Sequence, residues 1–251
     1  MKIIPVIGHS NSGKTRFIHS LLNEMNLRHP GQTAVIKHLG DHKHKLEEGK
    51  DTTTHYQQGA AVVAGIDGDK ATVTVREGSY DSILENLSDY GIKYTIIEGF
   101  KEKGYKKIVI GDLESDDCLL RNPAVQEVLD SLEAFDDYYT MQGLVRELRE
   151  EADISRTGAI FTYTGVVREF TGDEKTEYME FEDFELLNAV TERLTAKITQ
   201  TPGVRGVKLH HCRGRLYAGD DVLYIAVASS HRQEGFKTVM DAIDEFKEKL
   251  H

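Results

Sequence analysis

The chain has 251 residues, of which 39% are hydrophobic and 29% charged, and its formal net charge is −11 at pH 7. These values describe a globular protein with one large domain or two small ones. The acidic balance argues against duplex DNA or an anionic membrane as partner, since both require basic protein surface. No run of 18 apolar residues is present, and Cys118 and Cys212 make no disulfide framework. We therefore expect a cytoplasmic protein with no nucleic-acid or membrane partner.

The first 110 residues alternate short β-rich runs with helical patterns. A helix with apolar residues from Phe17 to Leu22 follows the first strand. Strands are predicted at KIIPVI, TAVIK, AAVVAGI, ATVTV, YTIIEGF and KKIVIG. The third and fourth of these form a pair joined around Asp67 and Gly68. Strands separated by helices indicate an α/β domain with a mainly parallel sheet.

The middle of the chain contains an acidic loop and two predicted helices, 122–135 and 141–151, which we interpret as a lid and a linker. We therefore predict a first domain at 1–140, a linker at 141–152 and a second domain at 153–251. Helices in the second domain are predicted from Phe184 to Thr201 and from Phe236 to Leu250. Its strands are predicted at GAIFTYTGVV, TEYMEF, VRGVKLHHC and DVLYIAVASS. This pattern indicates an α+β fold.

A phosphate-binding motif follows the first strand. The run GHSNSGKT matches G-x-x-x-x-G-K-[ST] in full and precedes a helix. In such a loop backbone N–H groups surround a phosphate, Lys14 reaches the β- and γ-phosphates and the Thr15 hydroxyl ligates Mg²⁺. The candidate nucleotide-binding residues are Gly8, His9, Ser10, Asn11, Ser12, Gly13, Lys14 and Thr15.

A P-loop also needs a carboxylate near the metal. Glu98, directly after the buried run YTII, is the stronger candidate, and Asp51 is the second. The guanine-reading [NT]-K-x-D motif is absent, so these residues predict a nucleoside triphosphate without specifying the base. His38, His42 and His44 are loosely spaced and no cysteine joins them. We interpret them as a solvated or nucleotide-proximal loop rather than a metal site.

Several runs of the first half together resemble one family. GHSNSGKT, VIKHLGDH, GKDTTTHYQQGAAVVAG and IIEGFKEKGYKKIVI resemble the molybdopterin-guanine dinucleotide biosynthesis adaptor, protein B, over about residues 2–111. The resemblance implies GTP with Mg²⁺, weak GTP hydrolysis, and a molybdenum cofactor guanylyltransferase as partner. It places Lys14 and Thr15 on phosphate and Mg²⁺, with Asp51 and Glu98 near the metal. Slow hydrolysis is also expected because no arginine finger or water-positioning glutamine is recognisable.

The second half has an excess of acidic residues, and several basic side chains are spaced along it: Arg168, His211, Arg213, Arg215, His231, Arg232 and Lys247. The run Ser229-Ser230-His231-Arg232 follows a buried strand and opens a helix, where an anion is best bound. TGAIFTYTGVVRE, YMEFEDFELLN, HHCRGRLYAGDDVLYIAVASSHRQEGF and IDEFKEKL resemble the large, catalytic subunit of molybdopterin synthase from about Gly158 onward.

This second resemblance implies transfer of two sulfurs to a pterin substrate, cyclic pyranopterin monophosphate. The sulfur arrives as a thiocarboxylate on the tail of a ubiquitin-like small subunit. The catalytic positions that match are Arg168, His231, Arg232 and Lys247. Cations can clamp the substrate phosphate, His231 can move protons near neutral pH, and Lys247 can polarise or attack the acyl centre.

The sequence departs from this family at two points. Cys212 stands where the family usually has arginine. The family's second active-site lysine lies in a further segment, and we expect it to be missing because the sequence ends at His251.

We interpret the chain as a GTP-binding adaptor fused to a molybdopterin synthase catalytic domain. The rival is a GTP-controlled binding module whose second domain is catalytically inactive and only docks the sulfur carrier. A P-loop small-molecule kinase would need a phosphate-acceptor site, and none is recognisable. We also expect a homodimer, since an unbroken helix would separate His231 from Lys247 by roughly 24 Å. One pterin cannot touch both ends, so each active site would combine His231 and Arg232 of one chain with Lys247 of another.

Overall fold

The chain divides between Tyr138 and Tyr139 into two units, each with its own hydrophobic core. The structure is a computed structural model that describes residues 1–40 and 45–250. None of the described helices is both long and apolar enough to cross a bilayer.

The first unit is an α/β fold, as predicted. Its described strands β1 to β7 lie at Lys2–Gly8, Thr33–Lys37, Val62–Ile66, Ala71–Val75, Tyr94–Glu98, Lys107–Ile110 and Cys118–Arg121. Its described helices α1 to α4 lie at Lys14–Arg28, Asp51–Gln57, Tyr80–Asp89 and Val125–Asp130, and a 3₁₀ turn follows at Leu132–Ala134. Five strands form a parallel sheet in the order β2-β5-β1-β6-β7, and β3 and β4 form a separate antiparallel hairpin.

Both faces of the parallel sheet are covered, which explains why its strands are almost wholly apolar. Alternate side chains of β1 enter different clusters. Ile4 and Val6 pack in the cluster that contains residues of α1 and α4, and Ile3 packs in the cluster that contains Leu84 of α3. The region predicted to be a lid is therefore part of this core, because Val128 of α4 is fully buried there.

The second unit is an α+β fold, as predicted. Its described strands β8 to β14 lie at Ala159–Val166, Phe170–Thr171, Glu174–Lys175, Tyr178–Phe181, Val204–His211, Gly214–Tyr217 and Asp221–Ser229. Helices α5 to α7 lie at Met141–Glu151, Phe184–Thr199 and Arg232–Leu250, with a 3₁₀ turn at Ile154–Arg156. An antiparallel sheet has the order β12-β14-β8, and β11 pairs with β13.

The segment 141–152 is not the linker that the sequence analysis assigned. Residues Met141–Glu151 form α5, and Leu148 of this helix is buried against Ala226 and Ala228 of β14. The opposite face of β14 carries Ile225 and Val227, which pack with residues of α6 and α7. A strand buried on both faces needs a covering element on each side, so α5 belongs to the second unit.

Candidate functional site

The P-loop of the first unit connects β1 to α1 and requires glycine at its first position. A Cβ atom on Gly8 would lie 2.2 Å from the carbonyl oxygen of Ile110 in the neighbouring strand β6. Farther along, Asn11 and Gly13 adopt positive φ angles of 62° and 91°. These angles turn the chain sharply into α1, whose first-turn N–H groups have no acceptors within the helix.

The side chains of Lys14 and Ser12 in this loop are placed to bind an anion. Lys14 Nζ donates to the carbonyl oxygens of Gly8 at 3.0 Å and His9 at 2.5 Å. Partial burial lowers the pKa of Lys14, and the carboxylate of Glu98 opposes that shift. The Ser12 hydroxyl is buried without a hydrogen-bond partner among the described residues. A bound phosphate would supply acceptors for both side chains.

The structure brings Thr15 and Glu98 together. The Thr15 hydroxyl donates to Glu98 Oε1 at 3.0 Å, and Lys37 Nζ lies 3.3 Å from Glu98 Oε2. β5, which ends at Glu98, lies beside β1 in the sheet, so its carboxyl end meets the P-loop. A hydroxyl and a carboxylate oxygen are hard ligands of the type that Mg²⁺ takes. Asp51 is exposed at the start of α2 and does not line the same cavity.

An open cavity of about 760 Å³ surrounds the P-loop. It is lined by P-loop residues and by Glu98, His38 and Lys101. His38 stacks on Phe100 with ring centroids 4.4 Å apart, whereas His42 and His44 lie outside the described residues. His9 is exposed, and its ring lies 3.8 Å from Asp112. Ser10 and Asn11 line the cavity, as the motif predicted.

In the second unit, Arg168 and Lys247 line one cavity of about 340 Å³. The buried His211 also lines it, together with apolar side chains that include Tyr163 and Phe246. Arg168 follows the edge strand β8, and Lys247 lies in the last turn of α7. The cavity thus combines two cations with an apolar wall.

His231 and Arg232 line a different cavity of about 380 Å³ at the beginning of α7. The positive end of the helix macrodipole and the exposed guanidinium of Arg232 favour an anion there. Beside it, Arg205 Nε donates to the Ser230 hydroxyl at 2.7 Å, which orders the turn between β14 and α7.

The unbroken helix α7 separates these two cavities within one chain. It runs over 19 residues from Arg232 to Leu250, so its ends are roughly 27 Å apart. Phe236 and Met240, on the part of α7 that lies between the cavities, are 60% and 63% exposed. The apolar pattern of this helix is therefore only partly buried, because Ala242 and Phe246 are buried whereas Phe236 and Met240 are not.

The other cations of the second half are occupied by neighbours. Arg213 donates to Asn188 at 2.6 Å, and Arg215 pairs with Glu180 at 2.9 Å. Burial raises the pKa of Cys212 to about 12, so its thiol is protonated at neutral pH.

The positions of three residues, His211, Lys101 and His210, were not predicted from the sequence. His211 lines the cavity of Arg168 and Lys247, and Lys101 lines the P-loop cavity. His210 packs between Tyr139 and Tyr224. Burial, assisted by the nearby positive charge of Arg213, lowers the pKa of His210 to about 3. Alternation along β12 places His210 and His211 on opposite faces, which was the available signal.

The two units therefore define a P-loop α/β domain followed by an α+β domain with two cavities that cationic side chains line. Residues 3–129 match the family described as "Molybdopterin guanine dinucleotide synthesis protein B", and residues 139–249 match the family described as "MoaE protein". The chain belongs to both families, one in each half, and functions in molybdenum cofactor biosynthesis.

Individual relatives match either the whole chain or about half of it. The chain is 24% identical to "Probable molybdopterin synthase" of Haloferax volcanii over 98% of its own length and 92% of the relative. It is 30% identical to the "Molybdopterin synthase catalytic subunit" of Halalkalibacterium halodurans over 42% of its length and 68% of the relative. A solved structure of MobB from Bacillus subtilis is 27% identical over 56% of this chain and 77% of that one, with a TM-score of 0.39.

Proposed function

We propose that the first unit binds GTP with Mg²⁺ and serves as an adaptor for a molybdenum cofactor guanylyltransferase. The observation that carries this proposal is the P-loop cavity, which Lys14 lines together with Ser12, whose buried hydroxyl has no hydrogen-bond partner among the described residues. Thr15 and Glu98 would hold Mg²⁺, whose charge offsets that of the phosphate oxygens. Membership in the protein B family supports guanine as the base.

Hydrolysis by this unit is proposed to be slow. No glutamine side chain is among the described residues that line the cavity, so none there can orient an attacking water. A turnover above about 1 s⁻¹ for the isolated chain would contradict this part of the proposal.

The nucleotide site is tested by replacing Lys14. Titration of the full chain with a fluorescent GTP analogue should show binding that Lys14→Ala abolishes. Lys106→Ala is the control, because Lys106 Nζ donates to the Ala134 carbonyl oxygen and lies outside the cavity lining. Equal affinity of wild type and Lys14→Ala would rule out the P-loop as the site. Equal competition by ATP would remove only the guanine assignment.

We propose that the second unit transfers sulfur to cyclic pyranopterin monophosphate as a homodimer. The observation that carries this proposal is the separation of the catalytic candidates by α7. A second copy related by a two-fold axis would bring His231 and Arg232 of one chain to Arg168 and Lys247 of the other. The exposed Phe236 and Met240 supply apolar surface for such contact.

Each residue then has a distinct role in the shared site. The Arg232 and Arg168 guanidiniums bind the substrate phosphate, for which bidentate hydrogen bonding suits them. The thiocarboxylate sulfur of the carrier bonds to a pterin carbon and displaces an oxygen substituent, which leaves carrier and pterin joined by a thioester. Lys247 polarises the acyl carbonyl of that thioester, so that water attacks it, the sulfur stays on the pterin as a thiolate and the carrier ends in a carboxylate. A second carrier delivers the second sulfur in the same way. His231 moves protons near neutral pH. The ubiquitin-like small subunit is the proposed partner that delivers the sulfur.

Mixing two inactive variants tests the shared site. His231→Ala and Lys247→Ala should each be inactive with thiocarboxylated carrier and pterin precursor. Their equal mixture should recover up to about a quarter of wild-type sites, since half of random dimers are mixed and each has one intact site. Lys249→Ala, an exposed lysine two residues from Lys247, is the matched control and should stay active.

Two outcomes would overturn this proposal. A mixture that stays inactive despite demonstrated subunit exchange would exclude shared sites. Wild type that binds the carrier but forms no dithiolene product would favour a binding module over an enzyme. For the compartment we propose the reducing cytoplasm, which the free thiols of Cys118 and Cys212 support.

A further inference from the structure

The chain makes a strained turn directly after Glu98. Gly99 and Phe100 both adopt positive φ angles, 104° and 51°. A Cβ atom on Gly99 would lie 2.7 Å from Cβ of His38. A bulky residue at positive φ is a conformational outlier that persists only where its surroundings enforce it. Here Phe100 is held between the rings of His38 and Tyr80, with centroids 4.4 and 4.5 Å away.

A buried lysine fixes the residues that follow this turn. The side chain of Lys107 is 2% exposed, and its Nζ donates to the carbonyl oxygens of Lys101 at 3.0 Å and Lys103 at 2.8 Å. The Asp117 carboxylate lies 3.2 Å from the same ammonium. Burying a charge is costly unless it is paired and hydrogen-bonded, and these three partners satisfy Lys107. The loop backbone at residues 101–103 is thereby tied to the core.

The result of this tethering is that Lys101 lines the P-loop cavity together with Lys14 and Glu98. Lys103 and Lys107 pair with Asp81 and Asp117, whereas the Lys101 ammonium has no carboxylate within 4.0 Å among the described residues. Lys101 is exposed and is therefore available to a ligand.

We propose that Lys101 is a second phosphate-binding cation, which contacts the terminal phosphate of the bound nucleoside triphosphate. This inference rests on the proposed nucleotide site. Glu98 and Thr15 would hold Mg²⁺ on one side of the cavity, and its charge would offset that of the terminal phosphate oxygens. Lys101 follows Glu98 by three residues and lines the same cavity, so its charge serves the γ-phosphate rather than the base. Lys101 thus adds to Lys14 a second positive charge for binding the terminal phosphate.

The test compares triphosphate with diphosphate binding by the full chain. Fluorescent GTP and GDP analogues are titrated with Mg²⁺ into wild type, Lys101→Ala, Lys101→Arg and the control Lys106→Ala. Lys101→Ala should bind the GTP analogue about tenfold more weakly, as expected for one charge-assisted hydrogen bond, and the GDP analogue within about twofold of wild type. Lys101→Arg should restore the preference, and Lys106→Ala should match wild type.

Each other result overturns the inference in a distinct way. If Lys14→Ala abolishes binding but Lys101→Ala changes neither affinity, the P-loop site stands and Lys101 is not part of it. If Lys101→Ala weakens both nucleotides equally, it does not contact the terminal phosphate. If wild type binds neither nucleotide, the proposed nucleotide site itself fails. Thermal unfolding of each variant confirms that the exposed substitution leaves the fold intact.

Discussion

Replacing Gly8 with alanine is expected to destabilise the first unit and to distort its P-loop. Gly8 pairs with Ile110 in the register of β1 and β6, and an added Cβ atom would lie 2.2 Å from the Ile110 carbonyl oxygen. It would also lie 2.8 Å from the Ser12 hydroxyl oxygen. An ordinary contact begins at 3.4 Å, so the two strands must separate locally by about 1.2 Å.

The size of the destabilisation by Gly8→Ala depends on which atoms must move to make room for the Cβ atom. A flexible side chain would yield at little cost, but the carbonyl belongs to β6, whose Ile108 and Val109 are fully buried. Overpacking of this kind costs about 1–3 kcal/mol, and a backbone obstacle places Gly8→Ala at about 3 kcal/mol. In a unit of this size each kcal/mol lowers Tm by about 3 °C, so a fall of about 10 °C is expected.

Calorimetry of the full chain without nucleotide measures this effect. The transition of the first unit is identified in wild type as the one that GTP shifts upward. Gly104→Ala is the matched control, because a Cβ atom there meets nothing within 4 Å and its φ is not positive. If Gly8→Ala unfolds at the same temperature as Gly104→Ala and binds GTP equally well, the steric argument is wrong.

Three further predictions concern titratable groups. The pKa of His210 lies at about 3 in the native protein against 6.5 for an ordinary histidine, so the unfolded chain binds the proton first as pH falls. The free energy of unfolding should fall by up to about 1.4 kcal/mol for each pH unit below pH 6.5. When it is measured by urea unfolding, the free energy of unfolding of His210→Phe should depend less steeply on pH. Cys212, whose pKa burial raises to about 12, should react with iodoacetamide at pH 8 far more slowly in the native protein than in urea; equal rates would contradict its burial. Glu98→Gln should raise the Mg²⁺ concentration needed for binding of a GTP analogue about tenfold, and an unchanged requirement would exclude Glu98 as a ligand.

Most strands and the phosphate loop could be predicted because their signals are local. Apolar runs such as those of β1 and β5 lie between turn residues, and GHSNSGKT carries its own backbone requirements in eight consecutive residues. Four strands were not predicted: β7 at Cys118–Arg121, β13 at Gly214–Tyr217 and the two-residue strands β9 and β10. Each has at most four residues, so its strand character comes from pairing with a neighbour rather than from its own pattern.

The packing of α5 could not be predicted from its local sequence. Its amphipathic pattern correctly predicted a helix over 141–151, but not which unit it joins. The unit that α5 joins depends on Ala226 and Ala228, about 80 residues later in the sequence. Their small side chains leave room on one face of β14, and Leu148 covers that face. Helix propensity is a property of neighbours in sequence, whereas burial is a property of neighbours in space.

The functional residues divide in the same way. The sequence by itself determined that Lys14 and Thr15 form a phosphate loop, because the chemistry of that loop resides in contiguous backbone. Tertiary structure decided that Glu98 meets Thr15, because parallel strands end at one edge of their sheet. It also decided that Arg168 and Lys247 line one cavity, because the packing of α7 against β8 brings together residues about 80 positions apart in the sequence.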